Sequence, residues 1–382
     1  MSAPRRCYLH VGLPKTGTSY LQSILWRSPA ALADQDLQML PHSGPATFEM
    51  MLALRGQLDP TMDPPAAFEA FDRFREEASR ATCTRALVSQ ELLGAAKPGQ
   101  ISTLLEALYQ FEVHVIVTVR GLAGFAPSAW QQHVKARGVK TLHEYLEDLA
   151  GIGSRKPAAS YDVHGVLDRW SAQVPPERMH VVTVPKRGTS ERVLLERFCS
   201  VVHVDPDALD ARAPSANTSL GLVQAELLRR VNVALGDRLP HRRAGYREQG
   251  KQFLAGEVLH PQPGEPARVP KQLADWCVEA SLELVARLER SGYDLVGDLQ
   301  DLVPDEADFA DDDQTVCDAE LLEAATHALA TVLDKRHADR TDLARLRARL
   351  REQRRLIEEL SKPRAWRRVS GALDRRIRRG RA

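Results

Sequence analysis

What this chain has little of narrows its class before any motif is read. Cysteine is sparse: Cys7, Cys83, Cys199, Cys277 and Cys317 lie far apart, with no CxxC pair and no repeated spacing. An odd, scattered set reads as reduced thiols in a cytosolic protein, and neither a disulfide framework nor a zinc site is expected. Long apolar runs are missing too. Nowhere do roughly 18 apolar residues follow one another, so no membrane span is expected. The stretch before Pro14 and Lys15 lacks the apolar core of a signal peptide. Net charge is only +1, which argues against a surface built for nucleic acid. That small total conceals an asymmetry. From Asp334 to Ala382 stand 18 Lys/Arg against 7 Asp/Glu, a basic tail on an otherwise acidic chain.

What is present is an ordinary globular composition, 43% hydrophobic and 27% charged, in a chain of 382 residues that can bury one large core or two modest ones. Short β-branched runs alternate with helical periodicity. Arg6–Gly12, Arg85–Ser89, Phe111–Val119 and Met179–Val184 read as strands. Helical spacing follows Thr18 and recurs over Ala66–Arg80, Ile101–Tyr109, Ala126–Arg137 and Val163–Trp170. This rhythm predicts an α/β fold with a largely parallel sheet. Such sheets bind ligands beyond the carboxyl ends of their strands, so the residues just after each strand carry the argument. Residues 41–65 look irregular, apart from a short helix at Phe48–Leu54. Beyond Leu220 the chain reads as helical, with amphipathic segments at Leu220–Leu235 and Gln272–Ser291. The acidic stretch Asp294–Glu320 reads as a linker or a surface edge. No internal repeat is found. The expected division is a main domain over 1–300, an acidic linker and helix over 301–332, and a basic helical arm over 333–382.

After the first strand comes Gly12-Leu-Pro-Lys15-Thr16-Gly17-Thr18-Ser19. A Walker A loop would place its lysine at position 18, where Thr18 stands instead. Lys15 comes three residues earlier. Loop amides and the start of a helix still make an anion cradle, with three hydroxyls added. Without a lysine at the far phosphates, the loop suits one phosphate bearing a further anionic group better than a magnesium triphosphate. A plain capped turn would not need a lysine, a glycine and three hydroxyls in five residues. The strand Phe111–Val119 then delivers Arg120 to the crevice, where a guanidinium can grip phosphate with two hydrogen bonds. Ser128 follows eight residues later, at the start of the predicted Ala126–Arg137 helix. Taken alone, Arg120 and Ser128 read equally well as a surface arginine and a capping serine.

Leu9-His-Val-Gly-Leu-Pro-Lys-Thr-Gly-Thr-Ser-Tyr20, together with Arg120 and Ser128, resembles the nucleotide-binding segments of sulfotransferases that use 3′-phosphoadenosine 5′-phosphosulfate (PAPS). The similarity covers about residues 6–235 and continues more loosely through Trp130–Lys135, Leu167–Trp170 and Asn217–Leu220. It implies a P-loop-NTPase-like sulfotransferase fold: a central, mostly parallel sheet flanked by helices, here with a helical C-terminal extension. It implies PAPS as co-substrate, with Pro14, Lys15, Thr16, Gly17, Thr18 and Ser19 at the 5′-phosphosulfate and Arg120 and Ser128 at the 3′-phosphate. The acceptor would be a hydroxyl or amine of a carbohydrate, glycolipid or small molecule. No metal is expected, since a single sulfuryl group carries less charge than a γ-phosphoryl.

Transfer also needs a base. Glu91, at the carboxyl end of the second predicted strand, is the first choice, because glutamate is the base in many carbohydrate and protein members of that family. His42, in the irregular stretch, is the alternative, as histidine serves in the cytosolic small-molecule branch. His133 and Lys135 either line the acceptor cleft or form a solvated helix face, and Lys186-Arg187-Gly188 reads as a basic turn near the nucleotide. In the basic arm, Leu343, Leu346, Leu350, Ile357 and Leu360 recur at 3/4 spacing, which suits self-association. A last basic helix over 363–382, with Trp366 on its apolar face, reads either as a solvated or disordered basic tail or as a peripheral contact with an anionic membrane, at the inner face for a cytoplasmic protein. Two other readings stand beside transfer: a P-loop kinase using a nucleoside triphosphate, and a membrane-associated scaffold that keeps the fold without the chemistry.

Overall fold

The computed structural model describes residues 4–151, 161–212, 219–240, 243–311 and 314–361. The chain forms two compact units, Met1–Leu321 and Leu322–Ala382. In the first, the order is β1 (Arg6–Gly12), α1 (Thr18–Arg27), α2 (Pro29–Asp34), β2 (Leu37–Met39), α3 (Gly44–Leu54), α4 (Pro65–Phe68), α5 (Ala70–Arg80) and β3 (Arg85–Ser89). Then come α6 (Pro98–Ala107), β4 (Glu112–Val119), α7 (Leu122–Lys135), α8 (Leu142–Leu149), α9 (Val163–Ser171), β5 (Met179–Thr183), α10 (Glu191–Val202) and α11 (Leu222–Leu235). A wide helical segment, Arg243–Leu259, is broken by a non-helical Gly245. It is followed by β6 (Val269–Pro270), α12 (Ala274–Glu289), β7 (Asp294–Val296) and β8 (Phe309–Ala310).

Six strands make one wholly parallel sheet in the order β2-β3-β1-β4-β5-β7, while β6 and β8 pair separately. The period of two along each strand explains how both faces are covered. From β1, Cys7, Leu9 and Val11 join Val113, Val115 and Val117 of β4 against Phe74, Ile101, Leu104 and Trp170. The alternate residues Tyr8 and Ile116 face Leu21, Ile24, Leu25 and Phe198 from α1 and α10. Each such leucine or valine, fully buried, contributes about 1.5–3 kcal/mol. The sheet is therefore a rigid platform. Its order reverses at β1: β3 lies on one side and β4 on the other. The crevice at the carboxyl end of β1 is thus the switch point at which open parallel sheets take ligands.

Three elements differ from the sequence expectation. The acidic stretch after Asp294 supplies the edge strand β7, whose residues pair with His180–Val182, and Asp301 is tied to Arg197 at 2.6 Å. Helix α7 begins at Leu122, directly after its N-cap Gly121, and carries Pro127 in its interior. Ser128 therefore sits in the second turn, not the first. A proline in a helix usually marks a start, which is why the onset was misread. Within residues 41–65, expected to be irregular apart from a short helix at Phe48–Leu54, that helix starts earlier, as α3 from Gly44, and the short strand β2 at Leu37–Met39 before it was not expected.

The second unit holds the remainder of α13 (Asp318–Ser361), a continuous helix that leaves Leu343, Leu346, Leu350 and Ile357 exposed. The expected terminal helix over 363–382 lies outside the described residues, as do 213–218. Among the described residues, no helix is long and apolar enough to cross a membrane.

Candidate active site

Three adjacent central strands deliver the candidate residues to one crevice: β1 leads into Leu13–Ser19, β3 into Glu91, and β4 into Arg120. The first loop turns sharply. Gly12 has φ 118° and Lys15 φ 68°, and Gly17 caps α1 in the left-handed region at φ 83°. A side chain at position 12 would come within 2.8 Å of the Glu91 carbonyl, so glycine there also lets β3 approach the loop. Lys15 holds a conformation that costs a non-glycine residue on the order of 1 kcal/mol or more. Backbones that alternate into the left-handed region point successive N–H groups to one side, as a nest for an anion. Helix α1 starts at Thr18 with no capping side chain, which leaves its first-turn amides to the same concavity.

The side chains divide into those facing the crevice and those spent inward. Thr16 is fully buried, and its hydroxyl donates to the Leu13 carbonyl and meets Thr118 Oγ1 at 2.6 Å. Thr18 is buried and Ser19 is exposed. Pro14 is buried in the turn. Thr118 Oγ1 also donates to the Gly12 carbonyl at 3.0 Å and lies 3.2 Å from His10 Nε2, while His10 Nδ1 meets Ser89 Oγ at 2.8 Å. Burial pushes the His10 imidazole down to about 3, so it stays neutral over any working pH. With Thr118 donating to Gly12, the consistent assignment has His10 donating from Nε2 and accepting from Ser89. From α1, the Gln22 amide donates to Ser89 Oγ at 3.3 Å and to Glu91 Oε2 at 3.1 Å. One chain of hydrogen bonds thus runs from Glu91 through Gln22, Ser89, His10 and Thr118 to the loop. Sequence reasoning missed it, because its members come from five elements and form no motif.

That network gives a stability prediction. His10→Leu keeps the bulk but takes the acceptor from the Ser89 hydroxyl and one donor from Thr118, which keeps its bonds to Gly12 and Thr16, at roughly 1–3 kcal/mol for the one donor left unsatisfied. Denaturant unfolding should show a loss of about 1–3 kcal/mol. An unchanged stability would mean the network is not what fixes the loop.

Lys15 is half-buried, and its ammonium is pushed down to about 8, chiefly by burial, then by Lys135 and Lys251, with Glu91 acting in the opposite sense. Arg120 is also half-buried, and burial, with Arg187 nearby, depresses its guanidinium from the usual value. Arg120 Nη1 lies 3.5 Å from the Lys15 carbonyl, so the two basic groups belong to one site. Neither has a carboxylate within ion-pair distance among the described residues. By contrast Lys186, in the basic turn, is paired with Asp305 at 3.1 Å. Arg187 shares with Arg120 a narrow cleft that Gly121, Gly124 and Pro185 also line. Ser128 Oγ donates to the Gly124 carbonyl at 3.1 Å, one turn back along α7.

Glu91 begins a short 3-10 turn right after β3 and is half-buried. Tyr161 stands near enough for that carboxylate to help burial push its phenol up to about 12, so it remains a neutral donor. His42 follows the edge strand β2, two strands from β1 and so about 10 Å farther across the sheet. Its side chain is 79% exposed and meets Glu77 at 3.4 Å. The geometry gathers Lys15, Glu91 and Arg120 and leaves His42 at the periphery. An apolar cavity of about 180 Å³ adjoins Leu13 and Arg120, walled by Phe125, Tyr161 and Trp276, and lowers the local dielectric around the site.

No family model matches the chain, and no curated protein matches it. Among solved structures it is similar to the crystal structure of a sulfotransferase from Alicyclobacillus acidocaldarius at 17% identity and a TM-score of 0.33, over 63% of this chain and 97% of that one. A likeness of that size carries no functional conclusion.

Proposed function

We propose that this protein transfers a sulfuryl group from PAPS to a hydroxyl (or amine) of an acceptor such as a carbohydrate, a glycolipid or a small molecule. The observation that carries the reading is a pair of cations, Lys15 and Arg120, with no carboxylate at ion-pair distance among the described residues, meeting at a loop whose amides turn to one side. A half-buried charge without a partner is costly, and an anionic ligand is the natural compensation. Two cation sites joined at one loop suit a nucleotide that is anionic at both ends, and the lysine at position 15 suits a phosphosulfate better than a triphosphate.

PAPS, when bound, would supply the sulfuryl group and a bisphosphorylated leaving group. Loop amides 15–19 hold the 5′-phosphate, with Thr16 contributing its N–H because its hydroxyl is spent inside. Arg120 holds the 3′-phosphate, and Ser128 on α7 joins it once its hydroxyl leaves the Gly124 carbonyl. Lys15 neutralises charge on the bridging oxygen as its bond to sulfur breaks, a preorganised contribution of about 3–4 kcal/mol. Glu91 takes the acceptor proton as the new sulfur–oxygen bond forms, and Gln22 holds its second oxygen in place.

Calorimetric titration tests the nucleotide half of this reading. Adenosine 3′,5′-bisphosphate should bind at least tenfold tighter than ATP with magnesium. The reverse order would favour the kinase, and bisphosphate binding with no turnover on any acceptor would favour the scaffold. The pH dependence has a definite sign. In the free protein Lys15 is charged below about 8, and a bound anion would raise it. Bisphosphate affinity should therefore be flat near neutral pH and fall about tenfold per pH unit once pH is well above that value, with proton uptake on binding. Affinity that is level through pH 9.5 would remove Lys15 from the contact.

A further inference from the structure

The cations at this site outnumber what one nucleotide needs. Tyr246, in the segment Arg243–Leu259, docks that segment on α7: its hydroxyl donates to Asn232 Oδ1 at 2.5 Å and lies 3.3 Å from the Val134 carbonyl. Asn232 itself donates to the carbonyls of Val134 and Gly138, each at 2.9 Å. On the other side the Tyr246 ring fills the space that a side chain at Gly250 would occupy. Lys135 follows Val134 and Lys251 follows Gly250, so the two lysines stand on backbones that meet at this seam.

Their surroundings are one-sided. Lys135 is depressed by burial first and then by Lys251, and Lys251 by burial first and then by Arg247. Both act on Lys15 in the same sense. Other basic groups at this end of α7 are spent: Arg137 donates to the carbonyls of Gly236 and Leu239, and Lys140 is paired with Asp148. Among the described residues, neither Lys135 nor Lys251 has a carboxylate within ion-pair distance. Lys135 is half-buried while Lys251 is exposed at the rim, and two like charges side by side favour an anion between them.

That anion is not the nucleotide's. Helix α7 rises about 1.5 Å per residue, so Lys135 sits roughly 20 Å along its axis from the end that carries Arg120. On the sulfuryl-transfer reading the nucleotide's two phosphates lie at Lys15 and Arg120, whose Nη1 is 3.5 Å from the Lys15 carbonyl, so they do not call on Lys135. We propose that Lys135 and Lys251 form a second anion site, for a carboxylate or similar anionic group on the hydroxyl-bearing acceptor. The term acceptor rests on the sulfuryl-transfer reading; the anion site does not. An open pocket between α3 and the same helical segment, lined by Phe48, Glu49, Arg247, Glu248 and Gln252, carries both signs of charge and offers an approach without selecting for either.

The test uses a matched pair, p-nitrophenyl β-glucuronide and p-nitrophenyl β-glucoside, which differ by a carboxylate. Each is titrated calorimetrically into the full chain at low salt, with and without adenosine 3′,5′-bisphosphate. The glucuronide should bind at least tenfold tighter, and the gap should fall below twofold in the Lys135→Gln/Lys251→Gln double variant, whose melting temperature confirms that it is folded. Equal affinities in the unaltered protein, or binding of neither compound, overturn the proposal. A gap that survives in the folded double variant moves the site elsewhere. If the glucuronide is preferred while the bisphosphate fails to bind, the anion site stands and the sulfuryl-transfer reading falls.

Discussion

Replacing Lys15 by alanine is expected to lower turnover with PAPS by at least a hundredfold, with a smaller effect on nucleotide affinity. The asymmetry follows from where the charge is needed. On the sulfuryl-transfer reading the loop amides of 15–19 would already compensate the 5′-phosphate in the ground state, and Lys15 would add to a site that has other donors. As the bond to sulfur breaks, negative charge collects on the bridging oxygen, and Lys15 is the cation seated at that loop. The loss should correspond to about 3–4 kcal/mol, as for removal of a preorganised donor. Lys15→Arg should recover little, because the left-handed backbone at 15 fixes where the stem starts and a guanidinium is longer and planar. Steady-state kinetics separate the cases: a fall in kcat of at least a hundredfold with a somewhat larger fall in kcat/KM is expected, and a rise in KM alone would reduce Lys15 to a binding group.

Glu91→Gln should be the second large loss, about 10²–10⁴-fold in rate, with nucleotide binding left intact. The amide oxygen of the variant can still accept from Gln22, so the hydrogen-bond chain through Ser89 and His10 persists and the fold should be unchanged. What disappears is the capacity to take a proton. His42→Ala supplies the contrast. His42 is exposed and engaged with Glu77 on α5, and its removal should cost less than threefold in rate. A fully active Glu91→Gln together with an inactive His42→Ala would exchange their roles.

The sheet was legible in the sequence wherever burial on both faces forced runs of β-branched residues, as in Val113–Val119, and wherever a strand ran straight into glycine or helix. Strands β2 and β7 were not legible. Three residues at a sheet edge need neither an apolar run nor alternation, and β7 begins in an acidic stretch that composition alone assigns to the surface. Lys15 and Arg120 could be singled out because one lies in the glycine-containing loop after β1 and the other directly follows β4. The onset of α7 was misplaced because Pro127 looks like a helix start, whereas the helix accepts it in the interior after Gly121. Lys251 carried no signal at all. It reaches the site through Tyr246 packing on α7, a contact more than a hundred residues apart in sequence. The His10–Thr118 network was equally hidden, since a lone histidine and a lone threonine on strands look like ordinary core residues.

One nucleotide held at both ends is the central claim, and a binding cycle tests it most directly. Affinities of adenosine 3′,5′-bisphosphate and adenosine 5′-monophosphate are compared in the unaltered protein and in Arg120→Ala. The account predicts that the 3′-phosphate improves binding at least thirtyfold in the unaltered protein, about 2 kcal/mol, and that this advantage vanishes in the variant while the monophosphate binds as before. Equal affinities for the two nucleotides, or an advantage that survives without Arg120, would contradict it.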